Sequence, residues 1–227
     1  MSRLGALTRY HLELLLRSPG WLPPFLAYAL LLVVGVSGGN PLLDDLGYGS
    51  AVLLPVTAWY VRCAVTAEPA ASRACLVAAA GAFRVQLAAL LAAVTAGLVL
   101  AAGGTSALWA VGGRVADPGV AAQPPEGPAV LEGLLASVVC VLLGAAVGAV
   151  CNRPVLLRPQ YGIPTALGLS VLVLAAGASP ANAAVRGLIT GARSGRVGYP
   201  WLELLLAAGL LAAVAAGSSA LAGRRPG

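Results

Sequence analysis

Six apolar stretches, at about 21–38, 49–65, 85–103, 129–150, 161–178 and 201–221, organise this chain, and none has a charged residue at its centre. At about 1.5 Å of rise per residue, each is long enough to cross a hydrocarbon core as a helix. A helix does so without leaving backbone N–H and C=O groups unpaired in lipid. The pattern therefore predicts an all-α membrane protein, with six transmembrane helices making a single transmembrane domain over 1–227. Composition points the same way. The chain is 59% hydrophobic and only 10% charged, whereas about a quarter of a soluble domain is charged. Its mean hydropathy is +0.89. About twenty residues precede the first run and no small-residue cleavage site follows it, so that run is read as a span and not as a leader.

Every one of the 14 basic residues is arginine. With the N-terminus in the cytoplasm, the inner segments hold Arg3, Arg9, Arg17, Arg62, Arg73, Arg84, Arg153, Arg158, Arg224 and Arg225. The outer segments hold only Arg114, Arg186, Arg193 and Arg196. Arginine accumulates on the cytoplasmic side of membrane proteins, which predicts a multi-pass plasma-membrane protein with both termini inside. The net charge of +6 is then explained by arginines meeting anionic headgroups of the membrane lipids. No basic stripe interleaved with aromatics suggests a nucleic-acid partner.

The missing residues exclude several chemistries. A P-loop needs a lysine beside the β- and γ-phosphates, and this chain has none. The one histidine, His11, precedes the first span, so an intramembrane serine–histidine pair cannot form. On its amphipathic helix His11 falls on the apolar side, as a snorkelling or internally bonded imidazole. Cys63, Cys75, Cys140 and Cys151 form no Cys-x-x-Cys and read as small core residues, so no metal site is expected. Asp44, Asp45 and Asp117 all fall in outer segments. Glu132 and Glu203 enter spans four and six only near their outer ends, away from the mid-membrane position of an ion-coupling carboxylate. The chain is read as no enzyme and as holding no cofactor of its own.

The short pieces between the spans carry more information. Arg9, Glu13 and Arg17 form one ridge opposite Leu4, Leu7, Leu14 and Leu15, which predicts an amphipathic interfacial helix over 2–18, ended by Ser18-Pro19-Gly20. The first outer loop is read over 39–48, and the third, rich in proline and glycine, over 104–128. Between spans five and six, Ser179 is suited to cap a helix and Pro180 to open it. Gly144 and Gly148 make a GxxxG in span four, the spacing that lets helix backbones approach.

The segment between spans two and three is too polar for a span and too apolar for a loop. Pro69 suits a first helical turn, with Glu68 near the positive end of the helix dipole. Residues 70–80 contain no breaker, Gly81 ends them, and Arg84 marks re-entry into the membrane. Arg73, Leu76, Val77 and Ala80 share one face. The prediction is a short helix held at the cytoplasmic surface, with more apolar area than lipid contact needs, hence a protein partner.

These features together resemble the small six-span permease subunits of ABC exporters, the type-2 group related to the ABCG half-transporters. The resemblance rests on the N-terminal interfacial helix, the inside–inside six-span order and the elbow, whose pattern is matched by Glu68, Arg73, Leu76-Val77-Ala78-Ala79-Ala80, Gly81 and Arg84. It implies that the elbow is a coupling helix that docks into a cleft of a separate ABC-type ATPase subunit, which carries the ATP and Mg. It also implies pairing with a second permease copy, identical or related, and a path lined by spans two and five. The candidate path residues are Thr57 and Trp59 in span two and Thr165 and Ser170 in span five. A second reading of the hydroxyls is that they bond back to their own helices. The apolar interior suits lipids, hydrophobic peptides or amphiphilic drugs. A non-transporting membrane scaffold, immunity protein or sensor subunit would use the same bundle.

Overall fold

Proline, serine and glycine set the helix ends in this chain, and long runs of Ala, Leu and Val fill the helices. The structure, a computed structural model, describes residues 3–36, 39–121, 123–151 and 162–224. In order they form α1 (Arg3–Arg17), a 3-10 turn (Pro19–Trp21), α2 (Leu22–Gly35), α3 (Leu42–Thr66), α4 (Ala70–Ala80), α5 (Ala82–Val111), α6 (Glu126–Val150), α7 (Gly162–Ala175), α8 (Pro180–Ser194) and α9 (Trp201–Arg224). All the regular structure among the described residues is helical. Arg153, Arg158, Tyr161 and Arg225, used above to orient or bound the spans, lie outside them.

Three helices, α5, α6 and α9, are long and apolar enough to cross a membrane unaided. The count rises to as many as six if each of three bent pairs is one span. The pairs are α1 with α2, bent by 80°, α3 with α4, bent by 90°, and α7 with α8, bent by 54°. The first bend falls at Ser18-Pro19-Gly20, where the Ser18 hydroxyl donates to Leu15 O at 2.9 Å. The Tyr60 hydroxyl donates to Trp21 O at 3.1 Å and fastens this turn to α3.

Helix boundaries differ from the sequence reading in two segments that the arginine count assigns to the outside. The stretch 39–48 is mostly helix, because α3 starts at Leu42 with Pro41 as its N-cap. The Leu42 N–H donates to Arg114 O at 2.8 Å and the Leu43 N–H to Val115 O at 3.2 Å. These two donors have no intrahelical partner, and a distant segment satisfies them. Leu42, Leu43 and Leu46 are consequently core residues. Likewise α5 runs through Gly103-Gly104 to Val111, and α6 already begins at Glu126. At 30 residues α5 is about 45 Å long.

The bundle is built around α3, which packs against α5, α6, α7 and α8. Glycine contacts fix the register. Gly133 lies against Leu46, Gly144 against Leu54 and Thr57, and Gly148 against Ala58 and Val61, so α3 and α6 run parallel. Gly112 meets Leu42 and Gly97 meets Thr57, so α5 runs antiparallel to α3. The GxxxG of α6 is therefore spent on contact with α3 of the same chain. Small residues elsewhere on these faces, among them Ala88, Ala92 and Ala136, are fully buried.

The outside of the bundle is as apolar as its inside. On α2, Val33 is 78% exposed; on α9, Leu205 is 71% exposed; Val171 and Leu172 of α7 are exposed as well. Water would not tolerate so continuous an apolar coat, whereas lipid solvates it.

At α8 local chemistry and structure coincide. Ser179 is the N-cap and its side chain accepts from the Ala181 N–H at 3.3 Å, Pro180 is the first helical residue, and Gly195 closes the helix at φ 67. The Gly195 N–H donates to Gly191 O at 2.8 Å. Loss of an N-cap costs about 1 kcal/mol. Ser179→Ala is expected to speed amide exchange over the first turn of α8, read by hydrogen–deuterium exchange, while the exchange of α6 stays unchanged.

Candidate functional site at the elbow

The elbow is made where α3 ends and α5 begins. Its N-cap is Pro69, so Pro69 precedes α4 and does not open it, and its C-cap is Gly81 at φ 86 and ψ 145. Only glycine enters that region of φ without strain, and the Gly81 N–H closes the helix on Val77 O at 2.9 Å. The chain turns at Gly81 straight into α5.

The face that α4 shares among Arg73, Leu76, Val77 and Ala80 is half-buried, and α4 packs on α5. The opposite stripe, Ala71, Ala74, Cys75, Ala78 and Ala79, is exposed. Its spacing, i, i+3, i+4, i+7 and i+8, makes it one continuous side of the helix. Leu76 and Val77 thus brace the elbow against its own bundle, and the surface offered outward is a strip of small side chains. Phe83 and Arg84, in the first turn of α5, are exposed beside it.

Glu68 is turned inward. Its side chain and that of His11 are each 2% exposed, and His11 Nε2 lies 3.7 Å from Glu68 Oε2. His11 Nδ1 is bonded to Leu7 O at 2.9 Å, within α1. Arg73 Nη2 donates to Gln86 Oε1 at 3.0 Å, tying α4 to α5. Ala64, Val65, Val85 and Ala89 close around this group. One polar joint therefore connects α1, the α3–α4 corner, α4 and α5. It is incompletely satisfied: Glu68 Oε1 and Gln86 Nε2 are buried without a hydrogen-bond partner. A buried donor and a buried acceptor left unpaired cost about 1–3 kcal/mol each, and a rearrangement that brought them together would recover part of that.

Sequence reasoning placed His11 on the apolar side of α1 and Glu68 at the start of the elbow, but it did not join them, since 57 positions separate them. Leu15, one turn after His11, is a core residue on the same face. The joint is expected to show in a double-mutant cycle. His11→Ala and Glu68→Ala should each lower thermal stability in detergent, with a coupling of about 0.5–3 kcal/mol between them. Additive losses would separate the two residues energetically.

The remaining predicted residues are not gathered into one site. Thr57 is fully buried between α3, α5 and α6, and its hydroxyl has no hydrogen-bond partner. The Gly97 and Gly144 contacts hold it in tight packing. Ser170 is buried and donates to Ala166 O at 2.7 Å, the back-bonded alternative. Trp59 is half-buried and Thr165 is exposed on α7. Within the single chain, then, Thr57 and Ser170 face packing, and only Trp59 and Thr165 reach the surface.

No protein-family model, no curated protein and no solved structure matches this chain.

Proposed function

We propose that this chain is the membrane-spanning permease subunit of an ABC exporter, driven by ATP hydrolysed on a separate subunit. One observation carries the reading: α4 stands at 90° to α3 as an independent helix, with an uncovered strip of small side chains. A strip of that kind suits insertion into a cleft of another protein, because alanines admit close approach. Arg62, Arg73 and Arg84 cluster at this end of the bundle, the signature of a cytoplasmic face. The absence of lysine removes a P-loop from the chain itself, so energy would come from outside.

In this reading each bent pair contributes one crossing, through α2, α3 and α7, giving six, and α1 and α4 lie along the cytoplasmic surface. ATP binding would draw two ATPase subunits together and press on the exposed side of α4. The Arg73–Gln86 bond and the His11–Glu68 contact would pass that displacement to α5 and α1. The nucleotide acts through its different affinity for the two arrangements of the bundle. Since Thr57 and Ser170 are packed within one chain, a path would run between two permease copies, along surfaces that include Trp59 and Thr165. The apolar surfaces favour a hydrophobic or amphiphilic substrate.

The test is reconstitution in liposomes with a candidate ATPase subunit. The proposal expects a stable complex, ATP-dependent movement of an amphiphilic substrate and no transport by either subunit alone. A bundle that binds its partner yet moves nothing would instead favour a scaffold.

A further inference from the structure

At the end of the bundle opposite the elbow, α6, α8 and residues 195–198 enclose an open pocket of about 640 Å³. Glu132, Arg186, Thr190, Ser194 and Arg196 line it. Glu132, on the second turn of α6, is only 2% exposed. The Gly198 N–H donates to its carboxylate, but Oε2 has no hydrogen-bond partner. A carboxylate held out of water with a free oxygen is costly unless a donor reaches it. A Cβ at Gly187 would lie 3.9 Å from Glu132 Oε1, so α8 passes directly beside the carboxylate. The last turn of α8 adds the negative end of its dipole nearby. All of these favour a positively charged donor at the bottom of the pocket.

The rim has the opposite character. Arg186 and Arg196 are both exposed and take part in no ion pair among the described residues. A ligand with an ammonium and an anion a few bonds apart meets both demands.

The geometry points to a binding site for a primary-ammonium zwitterion, with its ammonium on the Glu132 carboxylate and its anionic group between Arg186 and Arg196. Primary ammonium supplies N–H donors, which a quaternary ammonium lacks. A guanidinium pair suits a phosphate or carboxylate. The same chemistry occurs in a phosphatidylethanolamine headgroup and in free phosphoethanolamine. The site uses no residue of the elbow, so it stands or falls separately from the transport proposal.

Native mass spectrometry of the full chain released from nanodiscs measures retained lipid, and titration with phosphoethanolamine measures the free zwitterion. Phosphatidylethanolamine should be retained about tenfold over phosphatidylcholine, equivalent to about 1.4 kcal/mol. Glu132→Gln should abolish that preference, and Arg186→Ala with Arg196→Ala should separately cut retention of both lipids by about tenfold. Competition by phosphoethanolamine supports a site that reads the headgroup alone; binding of phosphoethanolamine without lipid retention assigns the site to a soluble zwitterion. If Glu132→Gln fails to fold, the exposed arginine pair still decides. Equal retention of the two lipids with no phosphoethanolamine binding, a preference unchanged in Glu132→Gln, or retention of both lipids unchanged in the arginine variant, overturns the assignment.

Discussion

Gly148→Ala is expected to destabilise the bundle, although alanine is the better helix former by about 1 kcal/mol. A Cβ at 148 would lie 2.8 Å from Ala58 O and 2.7 Å from Val61 Cβ. The first is backbone and the second is the root of a branched side chain, so neither can swing aside. The parallel α3–α6 contact must open to admit the methyl group. Overpacking of this kind costs about 1–3 kcal/mol, and Gly148→Leu should prevent the two helices from packing at all. Gly209 on α9 supplies the control, since nothing lies within 4 Å of a Cβ there. Gly209→Ala should leave stability unchanged or raise it. Thermal unfolding in detergent, followed by tryptophan fluorescence, measures all three. A Gly148→Ala protein as stable as the parent would remove the close α3–α6 approach from the fold.

The second large effect concerns the proposed ATPase partner. Ala78 belongs to the exposed strip of α4, one turn beyond Cys75. Ala78→Arg should cut the co-purified ATPase subunit by at least about tenfold, because a guanidinium would be pressed into a surface shaped for small apolar groups. Expression, detergent stability and lipid insertion of the bundle should be preserved, because α4 makes its own packing contacts through the other face. Leu76→Asp is a blunter probe: it strikes the half-buried bracing side, so it should weaken the bundle and the association together. Full ATPase occupancy with Ala78→Arg would show that the strip is not the docking surface.

These expectations depend on features that differ in how readable they are from the amino-acid order. Apolar length marks the long helices, since each buries or lipid-exposes nearly all of its surface. Turn chemistry marks Gly81 and the Ser179-Pro180 start, since both act on neighbouring backbone groups. The N-terminal end of α3 and the C-terminal end of α5 differ from the sequence reading for a nonlocal reason. Leu42 and Leu43 become helical starts because Arg114 O and Val115 O accept their N–H groups, some seventy positions along the chain. The outward face of α4 was illegible because almost every residue in it is small or apolar, so no face stands out. Only Gln86, which receives Arg73, shows which side turns in. Glu132 was visible as an outer-end carboxylate, but the pocket above it exists only because α8 folds back over α6.

The central claim is that a lipid-solvated helical bundle presents α4 to the cytoplasm. Cys75 lies on the exposed strip, whereas Cys140 and Cys151 are buried. With Cys63, Cys140 and Cys151 replaced by alanine, a membrane-impermeant maleimide should leave Cys75 unmodified in intact cells and modify it fully in inside-out vesicles. Modification of Cys75 in intact cells, with inside-out vesicles protected, would place α4 on the opposite side of the membrane and contradict the account.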